Sequence, residues 1–272
     1  MEHTLALPHG QLSWDEFGPR HADTTVVLLH GFPHDRGLWS AQVAAIEDVT
    51  VGMRLLIPDL PGFGQSSPLQ KPGMDGYADA IAAMLDAADV RGAVIAGLSM
   101  GGYVAFSLWR RHGERVRALI LADTKASADT EAAKAKRREL IATVETSGVG
   151  TIVPGLLAQQ LGPTTRETQP ALVERVEIML RRAPASGVIG AASAMLERVD
   201  STPTLDDITV PTLVLVGEED ALTPLSDAIA MQSAIRGSRL VTVPGAGHLS
   251  PLEQPAIVNA AIAEFLDIAL GT

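Results

Sequence analysis

Apolar and polar positions fall in blocks along this chain, and the length of each block separates strands from helices. Residues 4–7 and 11–17 flank the turn sequence Pro8-His9-Gly10 and predict an opening antiparallel hairpin. Residues 24–29 are almost wholly apolar and rich in β-branched side chains, which marks a strand buried on both faces. Further short apolar runs bounded by turn residues occupy 54–57, 93–96, 116–122, 211–216 and 239–243. Between these runs apolar residues return at helical spacing, over 39–46, 77–87, 103–109, 225–235 and 253–270. Strands alternating with helices predict an α/β fold with a doubly wound, mostly parallel sheet, here of eight strands.

The alternation stops between residues 126 and 200. Helical stretches at 130–146, 149–161, 168–182 and 185–199 follow one another there with no strand, punctuated by Pro154, Pro163, Pro170 and Pro184. The expected organisation is a core made of 1–125 and 201–272, with 126–200 inserted as a helical cap over the strand tips.

Composition narrows the function classes. With 272 residues, 46% hydrophobic and 19% charged, and a mean hydropathy of +0.19, the chain can bury one large core. A net charge of −11 argues against nucleic acid as a partner. The one basic cluster, 134–138, reads as a solvated helix face. The absence of cysteine excludes disulfides, thiolate chemistry and cysteine-ligated metals. The first residues lack the pattern of a signal peptide and no apolar run reaches membrane length, so a cytoplasmic protein without membrane contact is expected.

The chemistry is carried by three loops. Gly97-Leu98-Ser99-Met100-Gly101 sits between a buried strand and a helix, the context in which G-x-S-x-G holds a serine on a strained corner with its hydroxyl exposed. Asp220 and His248 also follow predicted buried strands, and parallel strands carry such loops to one edge of the sheet. A serine hydroxyl is too weakly acidic to attack unaided. A histidine can take its proton, and a carboxylate on the other ring nitrogen fixes the tautomer. Asp123, at the tip of another strand, competes with Asp220 for that role.

The order Ser…Asp…His, with His30-Gly31-Phe32, Asp59-Leu-Pro-Gly-Phe-Gly-Gln-Ser66, Gly97-Leu-Ser-Met-Gly-Gly102, Val216-Gly-Glu-Glu-Asp-Ala-Leu-Thr-Pro224 and Gly245-Ala-Gly-His248, resembles the α/β-hydrolase family. Within it the chain is most similar to bacterial carboxylesterases and the enol-lactonase-like branch. The resemblance implies Ser99 as nucleophile, His248 as general base, Asp220 as orienting acid, and the amides of Phe32 and Met100 as oxyanion hole. It implies no cofactor and no metal, and a small-molecule ester or lactone as substrate.

Gly31, His34, Leu222 and Leu249 adjoin these motifs and are expected to line the pocket, with His34 at its entrance. The cap holds no aromatic residue, which suits small or medium acyl groups. Arg137, Arg138, Arg181 and Arg182 read as surface charges, although an enol-lactone of a keto acid would need such a group for its carboxylate. His30 is expected to brace its loop, Asp59 to support the Pro-Gly-Phe-Gly turn, and Glu218 and Glu219 to be solvated. His3, His9, His21 and His112 read as surface residues. Enol-lactone hydrolysis and cofactor-free perhydrolysis or haloperoxidation are the alternatives on the same site. A non-catalytic ligand sensor is the alternative of a different class. Oligomeric state is not legible.

Overall fold

A computed structural model describes residues 1–8, 10–45 and 52–270. Eight strands form one sheet: β1 (Glu2–Leu7), β2 (Gly10–Phe17), β3 (Thr25–Leu29), β4 (Arg54–Pro58), β5 (Ala93–Leu98), β6 (Val116–Ala122), β7 (Thr212–Gly217) and β8 (Arg239–Val243). Their order is β1-β2-β4-β3-β5-β6-β7-β8. Only β2 pairs antiparallel, with β1 on one side and β4 on the other; every other neighbour is parallel. Every residue of β3, β4, β5 and β7 is buried, as their unbroken apolar runs require.

The winding direction reverses between β3 and β5. From β3 the chain crosses to β4 on one side, then returns to add β5 through β8 on the other. The carboxyl ends of the two strands flanking such a reversal leave a crevice that no crossover covers. Gly31 and Phe32 extend from the end of β3, and Ser99 from the end of β5.

Among the described residues, five α-helices connect β6 to β7: Glu131–Ser147, Val153–Gln160, Pro163–Thr168, Pro170–Arg181 and Ala185–Leu196. The sequence places four helical stretches here, and proline explains the difference. Pro163 and Pro170 each open a helix, where a missing N–H is harmless: Pro163 starts one in the gap between the runs expected at 149–161 and 168–182, with a sequence, PTTRET, that has no apolar spacing to read, and Pro170 sets the start of the next. The helix expected at 253–270 likewise breaks at Gln254, before Pro255. The helix expected at 39–46 is the short Ser40–Ala44, preceded by a 3-10 turn at Arg36–Trp39; Ile46 lies outside the described residues. No helix among the described residues is long and apolar enough to cross a membrane.

The helical segment is tied down at its neck, where the Ser201 N–H donates to Ala126 O at 2.9 Å. It also meets the core through two glycines. A Cβ added at Gly187 would lie 1.9 Å from Gly62 O, so the helix Ala185–Leu196 rests directly on the loop after β4. Gly187→Ala is therefore expected to lower stability by about 1–3 kcal/mol through overpacking against backbone. Urea unfolding checks this, and an unchanged midpoint would refute the contact.

Candidate active site

β5 ends at Leu98 and the next helix, Met100–His112, starts at Met100, which leaves one residue for the corner. Ser99 makes it with φ 53° and ψ −111°, a left-handed conformation that costs a non-glycine residue about 1–3 kcal/mol. The corner closes only because its neighbours lack side chains. A Cβ at Gly97 would lie 2.3 Å from Gly101 O, and one at Gly101 would lie 2.3 Å from Leu29 O. Two further bonds hold Ser99 from the end of β6 and the residues just after it: its N–H donates to Ala122 O at 2.9 Å, and Thr124 Oγ1 donates to its carbonyl at 2.8 Å.

The three loops meet at this corner. Ser99 Oγ lies 2.8 Å from His248 Nε2, and His248 Nδ1 lies 2.8 Å from Asp220 Oδ2. A carboxylate only accepts, so Nδ1 carries the ring proton and Nε2 offers its lone pair to the serine hydroxyl. Asp220 also accepts from the N–H groups of Leu222 (2.8 Å) and Thr223 (3.0 Å) and from Thr223 Oγ1 (2.6 Å). Burial works against charge on the His248 ring, yet the Asp220 carboxylate and its hydrogen bond, with Asp123 and Glu253 beyond, raise its pKa above the ordinary histidine value. Asp220 moves the opposite way. Burial opposes its charge, but His248 and the Thr223 bonds hold it below the usual carboxylate range.

Asp123, the competing acid, makes no such bond. It is fully buried, with Oδ1 accepting from Gly217 N at 2.8 Å and Oδ2 from Ser250 Oγ at 2.6 Å. Burial first, and the nearby Asp220 charge second, push its pKa well above the ordinary range.

On the other side of Ser99, one peptide plane is firmly set. Gly31 O accepts from His30 Nδ1 at 2.9 Å and from the His34 N–H at 3.0 Å. His30 Nε2 in turn accepts from Leu60 N at 2.9 Å, and burial keeps this ring neutral by lowering its pKa. In a trans peptide the carbonyl and the N–H point in opposite directions, so anchoring Gly31 O aims the Phe32 N–H the other way. That N–H has no acceptor among the described residues. Met100, as first residue of its helix, has no carbonyl one turn back for its own N–H.

Ser99, His248 and Phe32 open on a cavity of about 540 Å³, whose lining includes Tyr103, Leu140, Leu156, Met195 and Leu222. Among the described residues no group of His, Asp and Glu is placed to hold a metal ion. Residues 26–261 match the alpha/beta hydrolase family.

The chain belongs to that family.

Among known proteins, this hydrolase is similar to a malate-bound thermophilic esterase from Thermogutta terrifontis, with 38% identity and a TM-score of 0.90 over 98% of this chain and 97% of the other. A pimeloyl-[acyl-carrier protein] methyl ester esterase of Aromatoleum aromaticum is 30% identical over 85% of this chain and 93% of its own. The 3-oxoadipate enol-lactonase 1 of Acinetobacter baylyi is 28% identical over 93% of each chain.

Several residues of the hydrolase lie elsewhere than their motifs suggest. Leu222 lines the cavity, but Gly31, His34 and Leu249 do not. Gly31 lies beneath the corner, where an added Cβ would meet Leu98 at 2.7 Å. His34 is buried rather than at an entrance, with Nε2 bonded to Gln160 Oε1 at 2.9 Å. Leu249 is drawn into the hydrophobic core. Arg137 and Lys136, read as part of a solvated face, are on the cavity wall. Arg181 and Arg182 instead pair with Glu177 and Asp35. Glu219 is bound by the N–H of Thr164 at 2.9 Å. His3 and His112 pair with Glu16 and Asp79, and His9 lies outside the described residues.

Sequence reasoning misses Thr223, Gln160 and Lys125. Asp-Ala-Leu-Thr at 220–223 carries a local signal for the first, since an aspartate commonly binds the N–H two residues on. Nothing local signals Gln160, whose side-chain partners are more than a hundred residues away.

Burial pushes the His34 pKa from 6.5 down to about 4. Between those values the unfolded chain binds a proton that the folded chain does not, so stability falls as the pH drops through this window. The loss attributable to His34 is on the order of 3 kcal/mol. Urea unfolding from pH 7 to pH 4 should show a shallower decline in His34→Asn than in the wild type, and parallel curves would refute this.

Proposed function

We propose that this hydrolase cleaves carboxylic esters through an acyl-enzyme formed on Ser99. The reading rests on the continuous hydrogen-bond chain from Ser99 through His248 to Asp220 at the floor of a cavity. In the first half-reaction, Ser99 Oγ bonds to the ester carbonyl carbon while its proton passes to His248 Nε2. The carbonyl oxygen, now an oxyanion, accepts from the N–H groups of Phe32 and Met100. Collapse breaks the bond to the alcohol, which leaves with the proton from His248. In the second half-reaction, water gives a proton to His248 and attacks the acyl carbon, and Ser99 departs with that proton. The helical segment 126–200 acts as a cap, and Leu140, Leu156 and Met195 supply an apolar wall suited to a small or medium acyl chain.

This chemistry requires His248 to be neutral. Its raised pKa puts the acid limb of kcat/KM above the pH at which an ordinary histidine titrates, and Asp220→Asn moves that limb to lower pH while reducing the rate. Ser99→Ala is expected to lose at least about a thousandfold in kcat on a p-nitrophenyl ester. Turnover of Ser99→Ala near the wild-type rate would end the acyl-enzyme reading.

One observation favours substrates that carry a negative charge, as an enol-lactone of a keto acid does. Lys125, Lys136 and Arg137 all line the cavity, in a chain whose net charge is −11. Among the described residues neither lysine has an ion-pair partner, whereas Arg137 is oriented by Asp129, itself held by Arg198 at 2.8 Å. The mono-p-nitrophenyl ester of a dicarboxylic acid is therefore expected to outperform a neutral ester of equal length. Lys125→Met should reduce kcat/KM for the charged ester about three- to tenfold and leave the neutral one unchanged. Equal effects on both would remove the charge preference.

A further inference from the structure

Gln160 is the last residue of the helix Val153–Gln160, is 2% exposed, and touches both loops that flank Ser99. Its backbone carbonyl is one of the acceptors that a helix C-terminus leaves without an internal donor. The N–H of His248 fills that vacancy at 2.9 Å. Its side-chain amide faces the other way. Nε2 donates to Phe32 O at 2.8 Å, and Oε1 accepts from His34 Nε2 at 2.9 Å. The assignment is unambiguous, because a carbonyl can only accept and the amide nitrogen must therefore face Phe32.

The residues after Gln160 extend the same attachment. The N–H groups of Gly162 and Leu249 donate to the two oxygens of one carboxylate, Glu253, at 2.9 and 3.0 Å. Thr164 binds Glu219, next to Asp220. The segment from 160 to 164 is thus sewn to the loops that carry Asp220 and His248, while the Gln160 side chain reaches across to Phe32. His30 and the His34 N–H fix the peptide before Phe32 through Gly31 O, and Gln160 fixes the carbonyl after it. Together they leave the Phe32 N–H little freedom to turn.

We infer that Gln160 is a positioning residue for the reaction proposed above. Docking of this turn of the helical segment brings the Phe32 amide and the His248 ring into register with Ser99 together. The inference rests on the acyl-enzyme reading. Gln160 touches none of the reacting atoms. It acts by holding a donor whose interaction strengthens as the oxyanion forms, so its loss falls on kcat and not on KM.

The test is the kcat and KM of Gln160→Leu and Gln160→Glu on a p-nitrophenyl ester, expressed per site titrated with a fluorophosphonate, beside Ser99→Ala. Leucine abolishes both side-chain bonds. Glutamate keeps the volume and can accept from His34, but its carboxylate cannot donate to Phe32 O. Both variants should lose about ten- to a hundredfold in kcat per titrated site, less than deletion of an oxyanion donor, with KM within threefold of wild type. If the leucine variant does not fold, the glutamate variant is judged by the same criteria. A kcat per titrated site within twofold of wild type overturns the inference, as does a loss confined to the number of titratable sites, which a purely structural role would produce. Ester turnover that does not depend on Ser99 overturns the acyl-enzyme reading as well, whereas Ser99-dependent turnover indifferent to Gln160 overturns this inference alone.

Discussion

The whole arrangement depends on the backbone crossing at Ser99. One residue must turn a buried strand into a helix, and it does so in a conformation that an L-amino acid rarely adopts. Such a corner persists only where its surroundings over-determine it. Here Gly97 and Gly101 admit backbone atoms at distances no side chain would tolerate, and Ala122 at the end of β6 and Thr124 just beyond it hold the serine. The hydroxyl therefore stands clear of the sheet at the place where the strand order reverses. Every other polar group of the site is arranged around that fixed point.

Two buried carboxylates near one imidazole pose an electrostatic problem, and their hydrogen bonds resolve it. Asp220 is surrounded by donors, including the ring N–H of His248, and these favour its charged form. Among the described residues the Asp123 carboxyl accepts from Gly217 and Ser250 alone, and burial beside Asp220 drives it toward the neutral form. Like charges in one apolar region cannot both be sustained, and the environment separates the two pKa values in opposite directions. Asp123 then serves as a tie between β6, β7 and the turn after His248.

The central strands were legible because a buried strand is a short apolar run, and six such runs stand out here, most within a residue or two of their observed ends, while the opening hairpin was legible from the turn Pro8-His9-Gly10. Helix limits were less so, since Pro170 and Pro255 open helices inside runs whose apolar spacing continues across them, and the helix that Pro163 opens has no apolar spacing to read. The convergence of Ser99, Asp220 and His248 was legible for a topological reason, because loops after parallel strands share an edge. Leu249 and His34 misled because proximity in sequence says nothing of direction: one side chain away from a motif points inward, to the core or to Gln160. Gln160 and Lys125 were invisible for the converse reason. Gln160 meets Phe32, His34 and His248 across the fold and Lys125 is brought to the cavity wall by it, and no local pattern records either.

The linear order of these groups also fixes when their hydrogen-bond chain can close. Ser99 is synthesised first, the helical segment next, and Asp220 and His248 last. Until residue 248 is made, the Ser99 hydroxyl lacks the imidazole it meets at 2.8 Å in the complete fold. The chain Ser99–His248–Asp220 is therefore a property of the nearly finished polypeptide and of no shorter piece of it.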